Sequence, residues 1–541
     1  MESQRIFILV GLMLVSVLLY QEWQSMYGPQ PVQTVASETV SSDAPATSDD
    51  VPQASHSAQS AVPSVNATSG SIITVESDVL RLKIDLAGGD IVETQLLAYP
   101  VEQGGDEPIQ ILHRNSHFEY IAQSGLIGND GPDSKGRPSY QADGDSFVMN
   151  GDTLVVNLKH VTEAGITVVK RLTLTAGSYT VQQDIEVINT SSQNLVMQPF
   201  MQLKQTMEGE SGSMMMPTYR GPAYSTEDER YSKYTFDDLS DKALNKTTQG
   251  GWVAMLQHYF VSAWVPAAAS SNQLYTNNVR GSGIVGMKGE QLVIAAGETK
   301  SVTASFYAGP KDQETLSALS PTLNLTVDYG FLWWLAQPLH WLLTLVQGLV
   351  VNWGLAIIVV TIIIKTLLYP LTKKQYTSMA RMKVLQPKMK ALQERYAEDK
   401  QKLQQAMMEM YKKEKVNPLG GCLPLLLQMP IFIALYWVLL ESVELRHAGF
   451  MLWITDLSVK DPYFVLPILM GASMFLMQKL SPTTVADPMQ QKIMMLMPVF
   501  MTFLFVTFPS GLVLYWVVSN LISIAQQLMI NRAIEAKKAA E

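Results

Sequence analysis

The sequence predicts a multi-domain membrane protein, in which a six-span α-helical membrane part carries one large all-β domain exposed to a different compartment. Three observations lead there. Hydrophobic residues make up 47% of the 541 residues, but they gather in long blocks. Between the first block and the others, over 72–326, apolar residues recur with the period of two that half-buried strands require. Charge divides along the same line: residues 24–326 hold 18 Lys/Arg against 33 Asp/Glu, whereas 372–418 hold 12 against 5. An asymmetry of that size places the two regions in different compartments. Cys422 is the only cysteine, which excludes a disulfide framework and a Cys-rich metal site. The β domain must therefore be held by its own core, for which some 250 residues suffice.

The apolar run Ile6–Tyr20 follows Arg5 and ends without a small-x-small cleavage site, so residues 1–23 read as an uncleaved membrane anchor rather than a signal peptide. Residues 24–71 are rich in Ser, Ala, Thr, Pro and Gln and bury too little apolar surface to order themselves; they read as a flexible linker. Leu80-Arg-Leu-Lys-Ile-Asp-Leu86 then alternates strictly, Tyr179, Val181, Ile185 and Val187 share one strand face, and Val302, Ala304 and Phe306 share another. Gly88-Gly-Asp90 and Gly128-Asn-Asp-Gly131 punctuate the runs as turns. The expectation for 72–326 is a mainly antiparallel sandwich.

Residues 327–541 form the helical part. Three Trp residues among Asp328–Trp341 suggest an interfacial helix over 327–341. Apolar blocks predict spans at 348–371, 419–440, 463–478, 493–508 and 511–530, several close to the ~20 residues a bilayer needs. They leave a basic loop at 372–418, a loop at 441–462 and a tail at 531–541. Lys and Arg concentrate in the 372–418 loop, beside 479–492 and in the tail, which orients all three toward the cytoplasm. Counting back puts the N-terminus inside and the acidic β domain outside.

Lys365 is the residue with most to say about chemistry. It lies inside an apolar block, where a charge costs roughly 2.5–3.5 kcal/mol at the bilayer centre. Continuous helix would set it about 12 Å inside the edge marked by Lys373. Thr361, Lys365 and Tyr369 follow at i, i+4 and i+8, a polar stripe on one face. Trp516, Asn520, Ser523 and Gln527 make a second stripe in the last helix, and Gln428 adds an amide in the third. No Asp or Glu lies within these five blocks, so water or a transient anionic guest is expected to solvate the lysine. Two plainer readings stand beside this one: a lysine snorkelling to the interface, and ordinary interhelical hydrogen bonding. The basic loop reads as a helical hairpin, turning near 397–399, whose Met379, Met382, Met407 and Met408 offer adaptable apolar surface and whose Lys383 and Lys388 offer charge. It suits a nascent chain or a ribosome, or alternatively anionic lipid. His113 and His117 enclose no general base, and there is no phosphate loop, nucleophile elbow or Cys/His pattern, so neither cofactor nor metal is expected.

Several motifs are specific enough to name a family. Leu368-Tyr-Pro-Leu-Thr-Lys-Lys-Gln-Tyr-Thr-Ser-Met379, Val416-Asn-Pro-Leu-Gly-Gly-Cys-Leu-Pro424, Gln428-Met-Pro-Ile-Phe432, Leu480-Ser-Pro-Thr-Thr484, Asp487-Pro-Met-Gln-Gln491 and Phe508-Pro-Ser-Gly-Leu-Val-Leu-Tyr-Trp516 resemble, in order, those of the YidC family of membrane insertases. The anchor, linker and large β domain resemble its Gram-negative form. The resemblance implies a conserved five-helix core with a positively charged hydrophilic groove, and a periplasmic domain of the mutarotase-like β-supersandwich type. It also implies nascent membrane proteins as clients in the bacterial inner membrane, with the Sec translocon, the signal recognition particle receptor and the ribosome as partners; no nucleic acid is implied beyond ribosomal contact. The family's groove cation is most often arginine, for which this chain has Lys365. That keeps the charge and loses the planar fork. The family's groove threonine and aromatic correspond to Thr361 and Trp516. Two other classes fit less well: a solute transporter, which would show repeats and intramembrane acids, and a sugar-acting envelope enzyme, which would need converging carboxylates.

Overall fold

The computed structural model describes residues 51–53, 71–162, 164–207, 218–396, 399–414, 423–480 and 488–540. The anchor expected at 1–23 and nearly all of the linker lie outside these residues, as do the motif segments 416–422 and 481–487.

The period-two region folds as two sheets, one of eleven strands and one of eight. Pairing is antiparallel throughout the named strands except where Ile72–Glu76 meets Ser146–Val148 in parallel. Leu80, Leu82 and Ile84 are fully buried while Arg81 and Lys83 point outward to Glu76 and Glu93, so the alternation in the sequence is the alternation of faces. Val181, Ile185, Val187, Ala304 and Phe306 join the same core between the sheets. At the first glycine pair the chain turns with φ of +88° and +65°, a region closed to most side chains. The short helices α1 (Phe236–Asp241) and α2 (Gln313–Leu319) edge the sandwich.

The helical part begins with α3 (Trp333–Val350), which runs nine residues past the interfacial helix expected at 327–341. Its exposed Trp333, Trp334 and Trp341 lie opposite buried Ala336, Leu339, Leu343 and Val346. Val351, at φ +55°, breaks the helix, and the Asn352 side chain accepts from Leu355 N (2.9 Å) to start α4 (Trp353–Leu367). The span expected at 348–371 is thus shortened at both ends. After Leu368 the axis bends by 64° into α5 (Tyr369–Arg395). Pro370 sits in the first turn of α5, where its missing N–H is harmless, and it cannot extend α4. The helices α6 (Lys400–Lys413), α7 (Leu423–Glu441), α8 (Val465–Leu480), α9 (Pro488–Phe505) and α10 (Ser510–Ala540) follow. The last runs straight through the expected tail. Among the described residues, one helix (Ser510–Ile534) is long and apolar enough to cross a membrane, and the bent pair Trp353–Leu367 and Tyr369–Arg381 makes a second if counted as one span.

The outer face of the eight-stranded sheet does not face solvent. Trp252, Ala254, Val261 and Ala263 share one apolar cluster with Leu332, Ala336, Leu339, Ala434 and Leu439. Polar ties flank it. Lys311 meets Glu441 at 3.3 Å with both side chains about 5% exposed, and Arg446 donates to the carbonyls of Pro100 (2.6 Å) and Val101 (3.0 Å).

Candidate functional site

Lys365 is buried, 6% exposed, in the last turn of α4. Its Nζ donates to Ser523 Oγ on α10 (2.8 Å) and to Gln428 Oε1 on α7 (3.2 Å). Gln428 in turn donates to Ser519 Oγ (3.1 Å), and Ser523 Oγ donates to the carbonyl of Ser519 (2.8 Å). Gln526 Nε2 reaches back to the carbonyl of Lys365 (3.2 Å). Three helices thus converge on one ammonium through neutral groups, and among the described residues no carboxylate pairs with it. Thr361, one turn earlier, is buried, returns its hydroxyl to Ile357 O (2.6 Å) and lines the same space as the lysine.

The space beside the lysine is about 10 Å³, lined by Thr361, Gln428, Tyr515, Ile364 and Ile431, room for roughly one water. Two neutral side-chain acceptors hold the ammonium directly. Both acceptors lie on neighbouring helices, Gln428 on α7 and Ser523 on α10. The bend at Leu368 also shortens the lysine's depth. Measured along α4, Lys373 lies roughly 8 Å beyond Lys365 rather than 12.

The two stripes need correction. Tyr369 lies beyond the bend, half-buried, and does not line this space, because the helix that would have aligned it with Lys365 ends at Leu367. Trp516 packs in an aromatic cluster instead, its ring 4.4 Å from that of Phe432 and 4.7 Å from that of Phe505, both edge-on. Asn520 donates to Ser473 Oγ on α8 (3.0 Å), and Gln527, further along α10, is buried. Ser523 is where the expectation and the geometry meet. Tyr515, Ser519 and Gln526 were missed, although spacings of 4, 4 and 3 through Ser523 mark their common face.

In the basic hairpin, α5 and α6 lie side by side, capped by Asp399, which accepts from Lys402 N (3.0 Å). Lys388 is paired with Glu414 (2.6 Å) rather than free, and Tyr411 caps the sulfur of buried Met389 (3.7 Å). Met379 and Met407 are half-buried, and Met408 is 55% exposed. The side chains of Met382 and Lys383 lie outside the described residues.

Comparison with known proteins follows the same division. Residues 72–342 match the family described as the YidC periplasmic domain, and residues 345–538 match the one described as the 60Kd inner membrane protein. The chain is 54% identical over 539 residues to the membrane protein insertase YidC of Pseudoalteromonas atlantica and 55% identical over 543 residues to that of Shewanella piezotolerans, covering 99% of each pair. Similar solved structures include an active YidC insertase (TM-score 0.38, 18% identity, 85% of this chain and 92% of that one). Another is a galactose mutarotase related enzyme from Lactobacillus acidophilus (TM-score 0.30, 12% identity, 44% of this chain and 97% of that one).

Proposed function

Because the chain belongs to the YidC family of membrane protein insertases, we propose that it passes newly made polypeptide into the inner membrane by giving the guest's polar flank a halfway station at Lys365. The observation that carries this reading is a buried ammonium held only by neutral acceptors among the described residues. Gln428 and Ser523 keep the charge hydrogen-bonded at rest without neutralising it. An acidic or polar group of the guest exchanges with them and gains a charge-assisted bond. Because the bond replaces existing ones, it is brief.

The basic hairpin and the tail face the cytoplasm in this reading, and the sandwich faces the periplasm, as the distribution of Lys and Arg supports. The hairpin receives the guest from a ribosome or from the signal recognition particle receptor, and the Sec translocon shares longer clients. The resting space beside Lys365 is too small for a peptide, so entry requires α4 and α10 to part near the bend at Leu368. Helix α8 is 16 residues, about 24 Å, against a hydrocarbon core of about 30 Å, a mismatch that thins the bilayer next to the site. The outward residues of α9, with Leu496, Val499 and Phe503 each more than 60% exposed, give the guest's apolar segment a surface to follow. Its burial in lipid, at roughly 25 cal/mol per Å², completes release.

The test is insertion of a single-span client with an acidic translocated flank into proteoliposomes holding Lys365→Arg, Lys365→Ala or Lys365→Glu. Arg is expected to retain activity, while Ala and Glu lose about tenfold or more at equal folded yield. An Ala variant as active as the parent overturns the proposal.

A further inference from the structure

Three strands of the eleven-stranded sheet, Leu195–Thr206, Ser271–Val279 and Ser282–Lys288, run side by side, and their face away from the sandwich core carries a cleft. Gln202, Tyr275, Asn277, Ile284 and Lys288 line it, with Val51–Gln53 along one wall. The space left beside those three residues is about 240 Å³, below the usual range for a small-molecule pocket. The Tyr275 ring and Gln202 pack directly against the strand backbone there because residue 286 is glycine. A Cβ there would stand 2.6 Å from the Tyr275 ring and 2.7 Å from Gln202 Cβ.

The wall is built rather than incidental. Tyr275 donates its hydroxyl to buried Gln202 (2.6 Å), Gln202 donates to Gln123 (2.7 Å) and Gln123 to Asp90 (2.9 Å), which pairs with Arg137. A relay of that kind fixes the ring in one orientation. Lys288 lies 5.7 Å from the centre of that ring and donates to the carbonyl of Gln53 (3.3 Å), a residue 235 positions earlier. Val51 and Pro52 are half-buried there. An aromatic ring, a cation aimed at a backbone carbonyl and a seated proline match the way proline-containing peptide docks: the ring takes the pyrrolidine, and the fixed φ reduces the entropy lost.

We propose that this cleft is a binding site for extended, proline-containing polypeptide, and that the chain's own Val51–Gln53 is its resident ligand. The linker after the N-terminal anchor is thereby pinned to the sandwich at rest, and an incoming segment of the same chemistry binds by displacing it. The proposal is independent of Lys365, and its readout is peptide binding rather than insertion.

The probe is a fluorescein-labelled peptide, Ser-Asp-Asp-Val-Pro-Gln-Ala-Ser, titrated by anisotropy against the full chain in nanodiscs. Replacing Val51, Pro52 and Gln53 together by glycine is expected to tighten binding roughly tenfold, the factor lost when a resident segment fills the site nine-tenths of the time. Adding Asn277→Trp, which fills the cleft from an exposed position, or Lys288→Met, which removes the donor, is expected to abolish that gain. Equal binding by the parent and the glycine variant overturns the proposal. So does a gain that survives both cleft variants, because the peptide would then be bound elsewhere.

Discussion

Two buried lysines show how differently one side chain is accommodated. Lys170, between the sheets, donates to the carbonyls of Gly88 (2.6 Å) and Ser124 (2.7 Å), close to Asp90, Asp133 and Arg137. Burial, with Arg137 adding to it, lowers its pKa to about 8, and the two carboxylates only partly oppose that. Between about 8 and 10.5 the unfolded chain binds more protons than the folded one, so stability is gained as pH rises through this window and is lost again as it falls to 8. The full change is about 3 kcal/mol. Urea unfolding of the β domain within the full chain should therefore show a rising midpoint between pH 8 and 10, and Lys170→Met should flatten it. An unchanged slope in the variant would assign the effect to other groups. Lys365, by contrast, has no carboxylate beside it among the described residues, only an amide and a hydroxyl. Its identity and the lack of an acid in the apolar blocks were legible in the sequence. Which face of α10 it meets was not, because neighbouring residues on a helix stand about 100° apart and both candidate faces carry polar groups. The neighbour decided: Asn520 turned to Ser473 on α8, while Ser519 and Ser523 turned to Gln428 and Lys365.

At the scale of elements, apolar blocks located the helices but not their ends. Helix α9 starts at Pro488, in the polar stretch before Ile493, and α10 continues to Ala540. Hydropathy registers what a helix buries, whereas the backbone ladder runs on through polar residues until a cap or a proline stops it. The left-handed Val351 and the cap at Asn352 leave little trace in an apolar count. Close packing leaves a clearer one. Gly471 on α8 lies against Thr502 of α9, whose hydroxyl occupies the place a Cβ would take. Small residues allow such approach between membrane helices. Gly471→Val should cost about 1–3 kcal/mol by overpacking, seen as a lower unfolding midpoint in detergent. Thr502→Ala should return part of it; if it returns none, the contact is not what limits the pair.

For the molecule as a whole, the outer face of the eight-stranded sheet and the helices share one apolar cluster, distinct from the core between the sheets. The sign of this was present in Trp252–Leu256 and Phe260–Pro266, unbroken runs buried on both faces, which a one-sided sheet would not carry. The buried pair Lys311–Glu441 locks that junction. Lys311→Met should destabilise the full chain by roughly 3–5 kcal/mol through the stranded carboxylate, and adding Glu441→Leu should recover most of it. Failure of the second change to help would mean that the ion pair is not the lock. The central claim concerns the other end of the same helices, where Tyr515 lines the space beside Lys365 and Phe503 stands 80% exposed on the outer surface. The most direct test places photoreactive benzoylphenylalanine at one position or the other and illuminates a client stalled midway through insertion. The account predicts that position 515 crosslinks to the client's polar flank and position 503 to its apolar segment. A polar flank captured at 503 and never at 515 would contradict it.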